Sequence, residues 1–461
     1  MATQQFSKIY RFLIAFILII LFPTIAKAQL AVTKKVVATI PGNIVEGTVT
    51  ISHDGEAYAF VIKTQEGERI VLNGKQQIPF SRISKPIFSP ISNKLFYWAL
   101  DNSYGKQEIV LIADGKKFSS DMVTEGSLYF SKDGKRWAAI TGTSDGNVVV
   151  IIDGKKIEKY NDISMPTFSY DNKHIAFLVP KGLVIDGRKV KVFKKPEVDV
   201  SGEARVYVYG NMMVYYHINY LSDGSLIFLT KDKQGWTIYK NNICLASYRH
   251  QVIQVGRLFI NVAGFEDASS IFTPINIADA APYAIWWEKP EGNNTQWRVV
   301  RNGLPVDKIR CSKLWSESYP ILSSDGKRWA YAAYISSKDK EELFVIVDGK
   351  KYGPYANVWG ITFSKNGKRF AYAASDGSKW SYYIDGKKLK GKFDSVWPPQ
   401  LSNNGRRFAW KAERADKVIL IVDGNEVYVG KKPLKGPVFD KLQHVHWYTI
   451  EDNSLVHYTV K

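Results

Sequence analysis

A short motif that recurs along the chain constrains the fold more than any other feature of the sequence. Its clearest copies begin at Ser131 (SKDGKRWAA), Ser323 (SSDGKRWAY), Ser364 (SKNGKRFAY) and Ser402 (SNNGRRFAW). The last three of these stand about forty residues apart, a spacing typical of proteins in which each repeat is one supersecondary unit. Looser copies begin at Ser52, Ser89, Ser169, Leu221, Ile277 and Ile450.

A second motif, Asp-Gly, follows most copies of the first. Asp-Gly tolerates the positive φ of a tight hairpin, so each unit contains two such turns. In the unit around Ser364, the runs VWGITFS, RFAYAAS, KWSYYID and KKLKGKFD are rich in β-branched and aromatic residues and are separated by turn sequences. This pattern predicts a four-stranded antiparallel meander. The Asp-Gly turns begin at Asp114, Asp153, Asp186, Asp348, Asp385 and Asp423, and Asn73-Gly74 and Asn302-Gly303 fill the same place in two other units.

Four strands in about forty residues are typical of a β-propeller blade, because a small twisted sheet must cover both faces with neighbouring sheets. We therefore predict an all-β fold, a β-propeller of about ten such units. The pattern Phe-Ser-x-Asp-Gly-Lys-Arg-x-Ala-Tyr, followed by an apolar strand and Asp-Gly, resembles the WD40-like repeat of bacterial envelope propellers related to TolB. The resemblance covers most of the chain. It implies this fold and a cell-envelope setting, and it carries over no catalytic residue.

The ends of the chain are expected to share one blade. We predict that His444 to Ile450 and Leu455 to Val460 form its first two strands and that Lys34 to Ile40 joins them, which would remove the exposed edges of an open ring. Ten units exceed the usual four to eight blades. The chain could form one large ring or two smaller propellers dividing near residue 200, or some weak copies could be no blades. The motif spacing is longest at about 195–320, where we expect inserted loops.

An apolar run near the N-terminus predicts export. Lys8 and Arg11 precede the run from Phe12 to Ile25, and Ala26-Lys27-Ala28 then gives the small residues of a cleavage site. We predict a signal peptide over residues 1–28, a propeller domain over 29–461, and a periplasmic or secreted protein. The alternative is an uncleaved membrane anchor. Without residues 1–28 the chain has 60 basic and 44 acidic residues, a formal charge of +16.

Cys244 and Cys311 are the two cysteines of the sequence. In an oxidising compartment they could form one disulfide, and the alternative is a pair of buried thiols. A single bridge cannot be the main support of a chain of this size, so the fold depends on its core.

Three patterns suggest an enzyme, and each has a structural explanation. The sequence Gly142-Thr-Ser-Asp-Gly146 matches a nucleophile elbow, but the repeat places it in a turn between two strands. Ser131-x-Asp133-Gly resembles the Asp box of sialidase-type propellers, which is itself a structural turn. His444 and His446 share one face of a strand, as a metal pair could, yet the sequence shows no third ligand. We predict no catalytic residue, no metal site and no cofactor.

Positive charge is concentrated in the two kinds of turn. In an up-and-down meander, the first-to-second and third-to-fourth turns lie at the same end of the blade, so we expect one cationic face. Candidate partners are lipopolysaccharide, anionic lipid headgroups and acidic envelope proteins, and the alternative is that these residues only keep the turns soluble. The predicted binding residues are Lys116, Lys135, Arg136, Lys155, Lys156, Lys327, Lys350, Lys351, Lys368, Lys387, Lys388 and Arg406.

These observations predict an exported propeller that serves as a non-catalytic binding or scaffold module. We expect a monomer with no specific nucleic-acid partner. One alternative is a propeller hydrolase or lyase with its site at the central channel, on the inserted loops of about 195–320. Another is a polyanion-binding surface protein. Carboxylates, or a histidine and a carboxylate, converging at the channel mouth would favour the enzyme.

Overall fold

The fold is that of a β-propeller, and it contains the predicted four-stranded sheets. The structure, a computed structural model, describes residues 30–190, 218–249, 253–254, 271–272, 276–277, 284–288 and 296–461, apart from short gaps at 91–92, 103–106, 120–124, 162, 180–181, 233–234, 242, 303, 316–319, 338–339 and 432. Within these residues the strands form ten antiparallel sheets, numbered here as blades 1 to 10. Each has four strand positions, and in blades 2, 7 and 9 two short strands share the first position. This number agrees with the count of repeat units. The predicted signal peptide lies outside the described residues.

Blades 1 to 5 follow one another along the chain. Their strands are Thr50–Ile51, Tyr58–Thr64, Gly67–Leu72 and Lys75–Phe80 in blade 1; Arg82–Ile83 with Ile87–Phe88, Leu95–Asp101, Glu108–Ala113 and Lys116–Ser119 in blade 2; Ser127–Phe130, Trp137–Gly142, Val148–Ile152 and Lys155–Tyr160 in blade 3; Thr167–Phe168, Ile175–Val179, Gly182–Ile185 and Arg188–Val190 in blade 4; and Ile218–Tyr220, Leu226–Asp232, Gly235–Lys240 and Ile243–Arg249 in blade 5.

Blades 6 to 10 continue the series, after a parallel pair formed by Ile253–Gln254 and Ile271–Phe272. Their strands are Asn276–Ile277, Ala284–Glu288, Arg298–Arg301 and Leu304–Pro305 in blade 6; Lys313–Leu314 with Ile321–Leu322, Trp329–Ser337, Lys340–Val347 and Lys350–Tyr355 in blade 7; Asn357–Phe363, Phe370–Ser375, Trp380–Ile384 and Lys387–Lys388 in blade 8; Ser395–Val396 with Gln400–Leu401, Phe408–Arg414, Lys417–Val422 and Asn425–Gly430 in blade 9; and Lys435–Phe439, Val445–Glu451, Ser454–Val460 and Val32–Thr39 in blade 10.

The repeated motif folds locally for reasons that blade 3 illustrates. The Ser131 hydroxyl is buried, donates to Asp133 at 2.7 Å and accepts the backbone N–H of Arg136 at 2.9 Å. The third-to-fourth turn at Asp153-Gly154 has positive φ at both residues, which is the requirement of a tight hairpin of matching twist. Both motifs therefore form turns, as the sequence predicted, and the serine stabilises the first of them.

Apolar residues on both faces of the sheets form the core between neighbouring blades. Contacts join the blades into one array that runs from blade 6 through blades 10 and 1 to blade 5. Blade 4 contacts blade 5 through Thr167–Phe168 and Ile218–Tyr220, across the point near residue 200 where two separate propellers would divide. These contacts favour the single array.

The first residue of the second strand is buried in some blades and half-buried in others. Trp137 and Phe370 are in the core, whereas Trp329 and Phe408 are partly exposed. The indole N–H of Trp329 donates to Asp307 at 3.2 Å, which keeps one edge of this ring near the surface. The repeat predicts that all four of these aromatic residues are interior, and this prediction is wrong for Trp329 and Phe408.

The first and last described strands both lie in blade 10, as predicted, but the predicted order of its strands is wrong. Lys435–Phe439 is the first strand, so Val445–Glu451 and Ser454–Val460 are the second and third, and Val32–Thr39 adds the fourth. The copy assigned at Ile450 is consequently the second-to-third turn, where Asp452 and Asn453 have positive φ. The true first turn, Asp440 to His444, lacks the Ser-x-Asp-Gly signature. Among the described residues there is no helix of the length and apolarity needed to cross a membrane.

Candidate functional site

The two basic turns of a blade lie at the same end, as the meander geometry predicted. The guanidinium of Arg136, in the first turn of blade 3, pairs with Asp153 of the third-to-fourth turn at 2.8 Å. Arg328 pairs with Asp348 at 2.7 Å in blade 7, and Arg369 pairs with Asp385 in blade 8. We call this end of the array the turn face. It carries the first turns and the third-to-fourth turns of the blades.

These arginines also join neighbouring blades. Arg328 donates to the Gly367 carbonyl of blade 8 at 2.9 Å, and Arg407 of blade 9 donates to the Gln443 carbonyl of blade 10 at 2.8 Å. Arg136, which the sequence placed among the binding cations, makes the same pair of contacts with Asp153 and the Lys173 carbonyl. Its geometry identifies it as a clamp between blades, a role that sequence reasoning did not foresee.

The other predicted binding residues are exposed on the turn face. Within the described part of the chain, none of them forms an ion pair with a carboxylate. Lys350 and Lys351 lie over the rings of Tyr352 and Phe344, at 5.1 and 5.8 Å from the ring centres. The exposed set is Lys116, Lys135, Lys155, Lys156, Lys327, Lys350, Lys351, Lys368, Lys387, Lys388 and Arg406.

An open groove of about 520 Å³ lies on this face between the first turns of blades 8 and 9. Its cations are Lys368, Arg369 and Arg406, and no carboxylate lines it. Arg369 is paired with Asp385, so Lys368 and Arg406 supply the uncompensated charge. The lining residues are Asn366, Lys368, Arg369, Asn404, Gly405 and Arg406.

Close packing of the two turns shapes this groove. Gly405 has a φ of +70°, and a Cβ built there would lie 2.8 Å from Cγ of Arg369. The Asn366 amide donates to the Asn404 carbonyl at 2.8 Å, which joins the two turns directly. A side chain larger than hydrogen at residue 405 would push them apart.

The groove is cationic because its two blades depart from the repeat at one position. Blade 7 has Asp325 where blades 8 and 9 have Asn366 and Asn404. The hydrogen bond from Ser323 and the backbone N–H of Lys327 hold the pKa of Asp325 below its usual range against the opposing effect of burial, so this carboxyl is ionised at neutral pH. The Ser364 hydroxyl donates to Asn366 at 2.8 Å in the same geometry. The amides therefore preserve the turn and remove its negative charge.

A second cluster departs from the repeat in blade 10. One carboxylate oxygen of Asp440 lies 3.1 Å from Nδ1 of His444 and 3.0 Å from Nε2 of His446. The sequence pointed to the two histidines and missed the carboxylate, although Asp440-x3-His444-x-His446 is a readable pattern. His457 lies behind His446, and burial together with the charges of His446 and Lys35 lowers the pKa of His457 to about 4. Sequence reasoning predicted no metal site, yet this donor set could hold a cation.

The elbow-like sequence Gly142 to Gly146 is a turn between two strands, as expected. Asp145 pairs with Lys159 at 2.8 Å, and Val148–Ile152 follows as a strand where an elbow requires a helix. No nucleophile is positioned by this turn.

Cys311 is buried, and desolvation raises the pKa of its thiol to about 12. The side chain of Cys244 lies outside the described residues, so the disulfide stays a prediction. The same is true of a catalytic site on the inserted loops, because residues 191–217 and 255–270 also lie outside them.

No family model and no curated protein matches this chain. Among solved structures, the Dos1 propeller is 12% identical, with 93% of this chain and 94% of that chain covered and a TM-score of 0.36. The propeller domain of the Trilobed protease from Pyrococcus furiosus is 13% identical, with 67% and 96% covered and a TM-score of 0.30. The tricorn protease is 11% identical at a TM-score of 0.30, and this chain, covered over 90%, spans only 48% of it. The propeller assignment rests on the ten sheets, and the resemblance to the TolB-related repeat stays a prediction.

Proposed function

We propose that the protein is an exported, non-catalytic binding module that recognises a phosphate-bearing component of the cell envelope, a lipopolysaccharide or an anionic lipid headgroup, with the groove between blades 8 and 9. One observation carries the proposal: this groove has three cations and no carboxylate in its lining. Lys and Arg side chains attract phosphate oxygens by charge, and Arg can also bind them with two hydrogen bonds.

The substitution of Asp by Asn supports binding rather than solubility. Turn lysines that only maintain solubility work equally well beside an aspartate, as Lys135 does beside Asp133 and Lys327 beside Asp325. Losing both carboxylates in two adjacent blades makes the local potential more positive, which favours an anion. The formal charge of +16 without residues 1–28 has the same sign and would speed the approach to an anionic surface.

The test is binding of the purified mature protein to vesicles containing anionic lipid, and separately to lipopolysaccharide. The Lys368→Glu/Arg406→Glu variant should bind at least about tenfold more weakly, because each change reverses a charge in the groove. The matched control is Lys135→Glu/Lys327→Glu, which makes the same change at the same repeat position outside the groove. It should bind within about twofold of the parent protein, and binding should weaken with added salt.

Equal weakening by both variants would assign the attraction to the whole turn face and refute a groove site. If the protein binds neither the vesicles nor lipopolysaccharide, or if its binding does not depend on salt, the proposed anionic partner is refuted. A third variant, in which Lys350, Lys351, Lys387 and Lys388 become Glu, tests the third-to-fourth turns. Weakening confined to this variant would also contradict the groove.

A further inference from the structure

The first turn of blade 10 differs from its counterparts in the residues that fill two key positions. Asp440 stands where blades 1 to 4 and 7 to 9 have a buried serine, and His444 stands where blades 3, 7, 8 and 9 have the clamp arginine. The usual partner of that arginine is the aspartate of the third-to-fourth turn. Blade 10 has no such turn, because its fourth strand comes from the N-terminus. His444 therefore has no third-to-fourth-turn aspartate in its own blade with which to pair.

We propose that Asp440, His444 and His446 form a binding site for a divalent transition-metal cation, with Zn²⁺ as the preferred ion. The donor atoms of the three side chains all lie within 4.8 Å of one another. Two imidazole nitrogens and one carboxylate oxygen are a donor set typical of zinc, and solvent would complete a tetrahedron.

The distances fit such an ion. The Asp440 oxygen lies 3.1 Å from His444 Nδ1 and 3.0 Å from His446 Nε2. Zinc bonds of about 2.0 to 2.2 Å arranged tetrahedrally place neighbouring donors about 3.3 to 3.6 Å apart. Each histidine nitrogen must therefore move away from the Asp440 oxygen by a few tenths of an ångström to admit the ion. The three side chains are 19–32% exposed, so solvent and metal can reach them.

Hydrogen bonds from surrounding groups orient the side chains of Asp440 and His446, as such bonds orient the ligating residues of metal sites. The second carboxylate oxygen of Asp440 accepts the backbone N–H of His444 at 2.8 Å. Nδ1 of His446 lies 3.0 Å from Nε2 of His457 and 3.2 Å from the hydroxyl of Thr459. The ring of His457 is stacked on Tyr448, with centres 4.3 Å apart. A proton on Nδ1 of His446 leaves Nε2 available to a cation.

Blade 4 provides an internal control. His174 stands at the clamp position there and pairs with Asp186 at 2.7 Å, in the way that the arginines do. A histidine at this position can thus serve the clamp alone. In blade 10 the carboxylate that His444 contacts is also contacted by a second histidine, His446, and this shared oxygen is the feature that indicates a metal site.

The experiment is calorimetric titration of the full mature protein with ZnCl₂ after treatment with EDTA, combined with thermal unfolding with and without the metal. We expect one Zn²⁺ per chain and a higher melting temperature in its presence, because a ligand that binds only the folded state stabilises it. Asp440→Asn keeps the shape of the turn and should lower the affinity about 100-fold, as should His446→Ala. His457→Phe, which keeps the stacked ring, should lower it about tenfold.

His174→Ala is the control and should bind Zn²⁺ as the parent protein does. Binding of Co²⁺ with the visible spectrum of a tetrahedral site gives a readout that is independent of stability. The competing explanation is that Asp440 only accepts hydrogen bonds from the two imidazoles. Absence of stoichiometric binding in the parent protein, or equal affinity in Asp440→Asn, would establish that explanation and overturn the metal site.

Discussion

The first turns of blades 9 and 10 occupy equivalent places and use different residues. In blade 9, Arg407 pairs with Asp423 at 2.8 Å and reaches the Gln443 carbonyl of the next blade. In blade 10 the same position is His444, which contacts Asp440 within its own turn. The regular turn is explained entirely by the fold. The turn of blade 10 is not, and this difference identifies it as a place where the sequence has been free to take on another role.

Blade 10 compensates for its missing clamp in another way. Lys435 of its first strand donates to the Ser52 carbonyl of blade 1, the next blade of the array. The hydroxyl of Tyr448 lies against Gly55, where an added Cβ would meet it at 1.7 Å. Contacts between blades are thus maintained at the junction of the chain ends while His444 is left for other partners.

The largest difference is expected between two tryptophans that occupy different positions of the second strand, the third in blade 10 and the first in blade 7. Trp447 of blade 10 is fully buried and stacks on Tyr458 with ring centres 5.0 Å apart, so Trp447→Ala should lower the free energy of unfolding by about 3 to 5 kcal/mol. Trp329 of blade 7 is half-buried, and Trp329→Ala should cost about 1 to 3 kcal/mol, since less surface returns to water. Urea unfolding of both variants measures the difference. Equal losses would mean that the first position of the second strand is as interior as the third.

The strands and turns of most blades could be predicted from the sequence, because each motif residue acts within its own turn. Asp-Gly supplies positive φ, and the serine holds its own turn, so both leave a signal within ten residues. The strand order of blade 10 was predicted wrongly because its first turn, Asp440 to His444, lacks the Ser-x-Asp-Gly signature. The clamp of Arg136 depends on how separate turns meet in space, and no local pattern records such a meeting. The grouping of Asp440 with His444 and His446 lies within seven residues and was readable as a local pattern.

The next test compares the loss of the clamp arginine in blade 9 with the loss of the equivalent histidine in blade 10. Arg407→Ala leaves Asp423 and the Gln443 carbonyl without a charged donor, and it should lower the free energy of unfolding by about 1.5 to 3 kcal/mol. His444→Ala in protein treated with EDTA should cost less than about 1 kcal/mol, because no contact between blades is lost. Arg414→Ala, which breaks the exposed pair with Glu426, is the control and should also stay below about 1 kcal/mol. A loss at His444 that equals the loss at Arg407 would show that the histidine is a clamp after all.

The smallest change in stability is expected when the Asp of the blade 7 turn and the Asn of the blade 9 turn are exchanged. This exchange alters the charge of the turn and leaves its hydrogen bonds in place. The pKa of Asp325 is lowered in the folded protein, first by the hydrogen bond from Ser323. Its contribution to stability is therefore present above the unfolded value of about 3.9 and is lost as the pH falls through the folded value. Asp325→Asn should change the free energy of unfolding by less than about 1 kcal/mol at pH 7, since Asn404 accepts the equivalent hydrogen bond in blade 9 at 3.0 Å.

Below about pH 4 the difference between Asp325→Asn and the parent protein should shrink, because the parent carboxyl becomes protonated and the amide does not. The reverse exchange, Asn404→Asp, should fold normally at pH 7 and acquire this acid dependence. It should also weaken binding to anionic vesicles, since it returns a negative charge to the groove beside Arg406. Urea unfolding at pH 7 and near pH 3.5 measures the stability and its acid dependence, and vesicle binding at pH 7 measures recognition. Normal stability together with unchanged binding in Asn404→Asp would show that the loss of the carboxylate in blade 9 has no part in recognition.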